Sequence, residues 1–357
     1  MTISRLTLHN FRNYPELRIQ SDNQFVVLSG ENGAGKTNIL EAVSLLAPGR
    51  GLRRAALRDI ARERGTGEFA VAAELDDVQL GTGTTVEQPD RRKTRINGTQ
   101  VPTNELADRL SILWLTPAMD RLFMEGASGR RNFLDRLVTA LNPSHARNSN
   151  RYDAARRERN RLLSEDIPPD PRWLDGLDQQ LAEFGSAIAN ARNRLVKTLN
   201  KRLQESQNAF FATPMILLED DDLLSEAAIF RALQSNRNAD QRAGRTQHGP
   251  HRSDMRVIHQ TKNQAAEKCS TGEQKALLFS IVLGHADCIA DERPSRPILL
   301  LDEVAAHLDP KRRGVLFEKL AEKGSQVWLT GTEPALFDDI PNNALHFEVA
   351  DGNLSER

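Results

Sequence analysis

Cysteine is nearly absent from the 357-residue chain, with only Cys269 and Cys288 present. Two cysteines cannot build a disulfide framework, so the fold must stand on a buried core, and a reducing interior is the simple setting. Aromatic residues are scarce too, at 5%, which speaks against a surface made for stacking exposed bases. Neither charge is in excess: 48 Lys and Arg stand against 49 Asp and Glu, for a net charge of −1. The overall balance therefore predicts no polyanion partner, and local clusters alone can supply one. No hydrophobic run approaches the ~20 residues that span a bilayer. The start, MTISRLTLHNFRNY, alternates like a strand and lacks the apolar core of a signal peptide. A soluble, cytoplasmic protein is expected, long enough to fold as two or more lobes.

The pattern is α/β at both ends and helical between. ISRLTLHNFRN and LRIQSDNQFVVLSG read as strands, and TNILEAVSLLA as a helix ending at Pro48-Gly49. EFAVAAEL and RKTRINGTQV form a meander with a hairpin turn at Asn97-Gly98, and LSILWLTP is a further strand. From about Arg130 the period is helical. Leu174, Leu177, Leu181, Phe184, Ile188, Ala191 and Leu195 alternate steps of three and four, the spacing of a packed seam. SEDIPPDPR (164–172) interrupts the helical region, so two helices run antiparallel around it. The seam is short and suits packing within a lobe rather than a long dimeric coiled coil. The acidic run at 219–222 reads as a solvated loop, and RPILLLDE returns the chain to α/β. The expected architecture is an α/β lobe split between residues 1–115 and 291–357, with a mainly helical lobe inserted at 116–290.

GENGAGKT (30–37) fits G-x-x-x-x-G-K-[ST], follows a predicted strand and opens a helix, the context a phosphate loop requires. Gly30, Glu31, Asn32, Gly33, Ala34, Gly35, Lys36, Thr37 and the adjoining Asn38 are the expected nucleotide-binding residues. Backbone N–H groups would wrap the phosphates, Lys36 would reach the β- and γ-phosphates, and Thr37 would coordinate Mg²⁺. PILLLDEVAAHLDP (297–310) is the complement, an apolar strand of a parallel sheet that delivers Asp302 and Glu303 at its end. Asp302 would hold the Mg²⁺ through water, and Glu303 would orient or deprotonate an attacking water. With Lys36 they form the expected catalytic set for phosphoryl transfer.

A second anion-seeking element starts at STGEQKAL (270–277). Ser270 or Thr271 can cap a helix there, and Gly272 lets a ligand approach its N-terminus. Alone, this is an ordinary capped helix. Placed shortly before a strand ending in Asp-Glu and followed by HLD (307–309), it resembles the signature of the ATP-binding-cassette ATPases. That resemblance implies that Ser270 and Gly272 contact the γ-phosphate of ATP held by the opposite subunit, with Asp309 near the interface. One chain has one loop and one signature, so the complete site implies an ATP-dependent homodimer.

LTLHNFRNY, GENGAGKTNILEAVSLL, GRRNFLDRLV (129–138), HGPHRSD (248–254), STGEQKALLFSIVLGHA and LLLDEVAAHLD, joined to a short helical hairpin, resemble the RecF family of SMC-like ATPase heads over nearly the full length. The resemblance implies a recombination mediator that uses ATP and Mg²⁺, hydrolyses slowly for timing, and binds duplex DNA at gaps in damaged or stalled DNA. It implies RecR as a partner, with RecO, in loading RecA. Two readings compete: an ATPase subunit of a membrane transporter, and a chromosome-structuring head of the SMC kind. Two features depart from the cassette pattern. VWLTGTEPALF offers Thr330 and Thr332 where a switch histidine would stand, and the metal-linking glutamine has no clear counterpart, Asp120 of LTPAMD lying in the region where a group could approach the site.

Three arginine clusters are candidates for DNA. Arg147, Arg151, Arg156, Arg157, Arg159 and Arg161 crowd one predicted helix; Arg50, Arg53, Arg54, Arg58, Arg62 and Arg64 form a second group; Arg91, Arg92, Lys93 and Arg95 a basic hairpin. They suit phosphate tracking along a duplex without sequence readout. The 147–161 helix and the 50–64 segment are the leading candidates, with Arg147, Arg151, Arg156, Arg157, Arg53 and Arg54 at their centre.

Overall fold

Alternating strands and uniformly apolar strands build two different sheets from the first part of the chain. The computed structural model describes residues 2–165, 170–205, 212–219, 225–341, 344–350 and 352–357. Strands β1 (Ile3–Phe11) and β2 (Tyr14–Gln20) mix buried and open positions, whereas β3 (Phe25–Ser29) is buried at all five. After β3 come α1 (Lys36–Ser44), β4 (Ala70–Leu75), β5 (Val78–Thr85), β6 (Gln88–Ile96), β7 (Thr99–Val101), α2 (Leu106–Arg109) and β8 (Ile112–Leu115). Next lie α3 (Ala127–Leu141), α4 (Ser144–Leu163), α5 (Pro171–Glu205), β9 (Pro214–Glu219), α6 (Glu226–Ser235), α7 (Arg237–Ala243), β10 (Asp254–His259), β11 (Gln264–Ala265) and α8 (Thr271–Glu292). The chain closes with β12 (Ile298–Leu301), α9 (Pro310–Lys323), β13 (Val327–Gly331), β14 (Ala344–Ala350) and β15 (Asn353–Glu356).

These elements form two units, Met1–Asp120 with His285–Arg357, and Arg121–Gly284. Residues 116–120 and 285–290, expected in the inserted lobe, thus belong to the first unit.

In the first unit, β2-β1-β4-β5-β6-β7 is an antiparallel sheet. Its β6–β7 hairpin turns through Asn97 and Gly98 at φ 49° and 80°, the left-handed pair that a tight two-residue hairpin needs. The other sheet has the order β15-β14-β3-β13-β12-β8, with all strands parallel except β15 at its edge. β3, β8, β12 and β13 are buried along their whole length, as strands covered on both faces must be. The two sheets and α1 share one apolar cluster that includes Phe11, Tyr14, Phe69, Leu28, Ile39 and Trp328. Phe11 and Phe69 meet edge to face at 5.7 Å. The topology has a consequence for chemistry: β13 lies between β3 and β12, so its end is flanked by the ends of both.

The second unit is centred on α4 and α5. Arg159 bonds Asp178, while Tyr152 lies against Gly185, so the two helices run antiparallel. Leu174, Leu177, Leu181, Phe184, Ile188 and Leu195 are buried on α5 as expected from their spacing. The seam is not purely apolar, however. Asp178 and Arg192 are buried within it, and Ala191 is only partly covered. The unit also carries a three-stranded antiparallel sheet, β11-β10-β9, which the helical expectation omitted; Met255, Val257 and His259 of β10 alternate inward. Glu219, first of the acidic run, ends β9. The rest of that run, and residues 166–169 of the interruption, lie outside the described residues. Among the described residues, no helix is long and apolar enough to cross a membrane.

Arg159 explains how charge enters this core. It is fully buried, with Nε donating to Asp178 at 2.6 Å, Nη1 to Asp240 at 2.7 Å and Thr246 Oγ1 at 2.9 Å, and Nη2 to the Leu233 carbonyl at 3.1 Å. Asp178 and Asp240 are themselves fully buried, and Arg237 also pairs with Asp178. Removing one member of such a set leaves an uncompensated buried charge. Arg159→Ala is expected to destabilise the protein by roughly 3–5 kcal/mol, whereas Arg157→Ala, on the exposed face of the same helix, stays within about 0.5 kcal/mol of the parent. Urea unfolding midpoints of the two variants measure the difference.

Candidate nucleotide-binding site

The loop after β3 follows a path that specific glycines permit. Gly30 has φ 146°, and a Cβ there would collide with the Val349 carbonyl on the neighbouring β14. Gly35, at φ 115°, starts α1, and a Cβ would press on the side chains of Asn13 and Tyr14. Between them Glu31, Asn32 and Gly33 are exposed and Ala34 is half-buried, leaving the loop accessible to a ligand. Lys36 is buried, and its Nζ donates to the carbonyls of Gly30 at 2.7 Å and Glu31 at 2.8 Å. Burial holds the ammonium below the ordinary lysine range, and the charges of Glu303 and then Asp302 pull it back up. Lysine, loop and both carboxylates therefore belong to one electrostatic unit.

Thr330 is the hub of that unit. Thr37 Oγ1 donates to Asp302 Oδ1 at 2.9 Å, and Thr330 Oγ1 donates to the same oxygen at 2.8 Å. The Glu303 amide in turn donates to Thr330 Oγ1 at 2.9 Å. Glu303 sits at φ 53°, a left-handed conformation that costs a non-glycine residue roughly 1–2 kcal/mol. One fully buried hydroxyl thus orients Asp302 and pins the strained backbone of Glu303. The sequence marked Thr330 only as a position without a histidine; its role depends on β13 lying between β3 and β12.

Asn38 and Arg53 belong to a second layer around α1. Glu41 is fully buried and takes a forked pair of bonds from Arg12 at 2.8 and 2.6 Å. Arg53 Nη1 reaches Asn38 Oδ1 at 2.5 Å and Glu41 at 3.2 Å, while Asn38 Nδ2 donates to Asn13 at 2.7 Å. Arg53 is therefore tethered to the helix that follows the loop, although half exposed. Arg54 is exposed at φ 57°. In the basic hairpin, Arg92 donates to the carbonyls of Leu45, Ala47 and Gly49 just beyond α1; it serves that helix terminus, and burial lowers it to about 10.

The α8 start is a capping box. The Ser270 amide and hydroxyl donate to Glu273 Oε2 at 2.9 and 3.0 Å, and the Glu273 amide faces Ser270 Oγ at 3.4 Å. Lys262 also pairs with Glu273, and together these bonds hold its carboxylate down to about 2. Ser270, Thr271 and Gly272 are exposed, and a Cβ at Gly272 would meet nothing. Asp309 is exposed as well and N-caps α9 by accepting from the Arg312 amide at 3.0 Å. Asp120 lies in the 3₁₀ turn Pro117–Arg121.

The arginines of α4 divide sharply. Arg147, Arg151 and Arg157 are exposed, with Arg151 also lying over the Phe184 ring at 5.5 Å. Arg156 is half-buried and pairs with Asp153 at 3.1 Å, Arg161 pairs with Glu158 and Glu165, and Arg159 belongs to the core.

A phosphate loop, an Asp-Glu strand end and an exposed capped helix define the head of a P-loop ATPase, and the family comparison narrows the class. The RecF/RecN/SMC N terminal domain model matches residues 2–352, and the chain belongs to that family. Within it, the chain is 46% identical to the DNA replication and repair protein RecF of Rhizobium rhizogenes, over 99% of this chain and 98% of that protein. It is likewise 46% identical to RecF of Brucella suis biovar 1, over 99% and 96%. A solved structure of the recombination mediator protein RecF-ATP in the RecFOR pathway shares the fold, with a TM-score of 0.84 at 22% identity over 100% of this chain and 99% of that one.

Thr330→Val keeps the side-chain shape and removes the hydroxyl that joins Asp302 to Glu303. ATP turnover is expected to fall about 10- to 100-fold, the scale of a misplaced catalytic group, while nucleotide affinity changes far less. Thr330→Ser restores turnover. Steady-state kinetics beside equilibrium nucleotide binding separates the two effects.

Proposed function

We propose that this chain is a RecF-type recombination mediator, an ATPase head of the ATP-binding-cassette type that dimerises on ATP, binds duplex DNA at gaps or junctions, and works in DNA replication and repair with RecR and RecO to load RecA. Full-length similarity to RecF proteins supports this reading. The observation that carries the mechanism is the division of labour within one chain. Lys36, Thr37, Asp302 and Glu303 form a half-site around a single loop, and the capping box at Ser270 is built but exposed. The loop holds the chain's own ATP, and Ser270 and Gly272 contact the γ-phosphate of a partner's ATP. Asp309, exposed at a helix start, lies at the same dimer interface.

Within the half-site, the backbone N–H groups of 30–38 cradle the phosphates and Lys36 exchanges its carbonyl partners for phosphate oxygens. The residues present fit Mg²⁺. Thr37 Oγ1 and Asp302 Oδ1 already converge at 2.9 Å, and these two side chains would hold the ion, Asp302 through water. Bound there, Mg²⁺ would neutralise charge between the β- and γ-phosphates. Glu303 orients the attacking water and accepts its proton. The competing transporter and chromosome-structuring readings share this half-site. The longer helix of the α4–α5 hairpin has 35 residues, which disfavours a long-armed scaffold.

Light scattering with ATP, with ADP and without nucleotide tests the central claim. Wild type is expected to dimerise only with ATP and to bind duplex DNA most tightly in that state. Ser270→Arg should bind ATP as a monomer yet fail to dimerise, because a long cation fills the phosphate-facing cap. Loss of monomer ATP binding in Ser270→Arg would rule out a site shared between chains. Glu303→Gln should retain dimerisation and lose at least 100-fold in turnover, trapping the dimer, whereas Lys36→Met should weaken ATP binding and dimerisation together. Equal duplex affinity in all three nucleotide states would count against the gated DNA reading.

A further inference from the structure

The HGPHRSD segment at 248–254 takes no part in the ATP half-site, yet it is fastened from several sides. The His251 ring bridges the Tyr152 hydroxyl at 2.7 Å and the Thr246 carbonyl at 2.9 Å. Arg192 donates to the Pro250 carbonyl at 2.6 Å and to Ser253 Oγ at 2.8 Å, while its remaining donors form a fork with Asp135 at 2.8 Å. Arg131 donates to the Ser253 carbonyl at 3.0 Å, and Arg130 forms a fork with Asp254 at 2.9 and 2.6 Å. Gly249, at φ 130°, leaves no room for a Cβ against the Tyr152 hydroxyl. The GRRNFLDRLV and HGPHRSD segments, more than a hundred residues apart in sequence, therefore build one rigid turn.

This fastening leaves out Arg252. Its amide closes the turn onto the Gly249 carbonyl at 2.9 Å, but its side chain is exposed and its guanidinium has no hydrogen bond or ion pair among the described residues. The neighbourhood is already positive. Burial holds His251 neutral, down to about 4, and the charges of Arg156, Arg252 and Arg131 act in the same direction. Arg131 is lowered first by burial, then by Arg192, and to a lesser degree by Arg252, against the opposing pull of Asp254 and Asp135. The carboxylates that act on Arg131, Asp135 and Asp254, are each taken up by a forked guanidinium. A rigid turn that holds a free guanidinium among like charges is destabilised by that charge until an anion joins it.

We propose that the turn at 249–252 is a DNA-backbone contact, in which Arg252 grips a phosphate and Arg131 and Arg156 supply the surrounding positive potential. An exposed guanidinium holds a small anion weakly. A polymer of phosphates gathers many such contacts and releases counterions at each. The charge continues along α4: Arg156 lies one turn from Tyr152 on the same helix face, with Arg147, Arg151 and Arg157 exposed on that helix. Tyr152, the aromatic residue within this basic stretch, is buried under the turn, so phosphate rather than base is contacted. The inference rests on the reading of the chain as a DNA-binding protein and assigns a site to it.

Fluorescence anisotropy with a mixed-sequence duplex, over a series of salt concentrations in the presence of ATP, tests the site. Arg252→Ala is expected to weaken binding several-fold, equally across sequences, and to reduce the slope of log affinity against log salt by about 0.9, one phosphate contact. Arg252→Glu weakens it further, and Arg252→Lys keeps the slope with a smaller loss of affinity. Arg231→Glu, an equal change of net charge at an exposed position on α6, binds as wild type. ATP-dependent dimerisation is unchanged in all four variants. Wild-type affinity and slope in Arg252→Ala and Arg252→Glu would overturn the site while leaving the DNA reading intact, as would an equal loss in Arg231→Glu. A wild-type protein that binds no duplex would overturn both.

Discussion

A single carboxylate oxygen, Asp302 Oδ1, organises the ATP half-site. Two hydroxyls from different elements converge on it, Thr37 from the first turn of α1 and Thr330 from β13. Everything else follows from that convergence. The parallel order β3-β13-β12 is the arrangement that places the three ends side by side. Continuous apolar strands are what allow such an order, since only a sheet covered on both faces can hold them. The same hydroxyl of Thr330 stabilises Glu303 in a backbone conformation it would otherwise avoid. Strain of this kind persists where the surroundings over-determine it, and here the surroundings are one buried threonine and a parallel ladder.

Charge is handled differently in the two units. In the first, Glu41 and Lys36 are buried beside the loop; Lys36 donates to two carbonyls of the loop, and Glu41 on α1 accepts from Arg12 and Arg53. Their burial serves the loop's geometry. In the second, Arg159 and Arg192 carry whole networks through the helical core, and each guanidinium spends nearly all of its donors on fixed acceptors. A buried ion pair is weak evidence for stability but sets geometry firmly. In this unit the geometry so set is the α4–α5 pairing and the turn at 249–252.

Residues of identical chemistry consequently have unlike fates. Among the arginines of α4, Arg159 is core, Arg161 is neutralised by Glu158 on its own helix and Glu165 just past its end, and Arg147 and Arg157 face solvent. Arg53 is tied to Glu41, whereas Arg252, which no charge cluster in the sequence includes, is the one left free within its turn. Counting arginines along the chain therefore overstates the charge available to a polyanion and misplaces part of it.

The local features were legible because they are written in adjacent residues: the glycine-rich loop, the apolar run before Asp302, the Asn97-Gly98 turn, the Ser270–Glu273 cap and most of the α5 seam each depend on a period or spacing of a few positions. The β9–β11 sheet was missed because its strands are short and flank residues of mixed pattern. Asp178 and Arg192 were missed because a buried charge looks like a surface residue until its partner, from another helix, is known. The family likewise could be read from motif order. What only the tertiary structure decided is which distant groups meet: Thr330 with Asp302, Arg192 with Pro250, Arg130 with Asp254. The physical reason is that sheet order and helix pairing are set by packing over the whole unit, and no local spacing encodes which strand end or helix face a side chain will find.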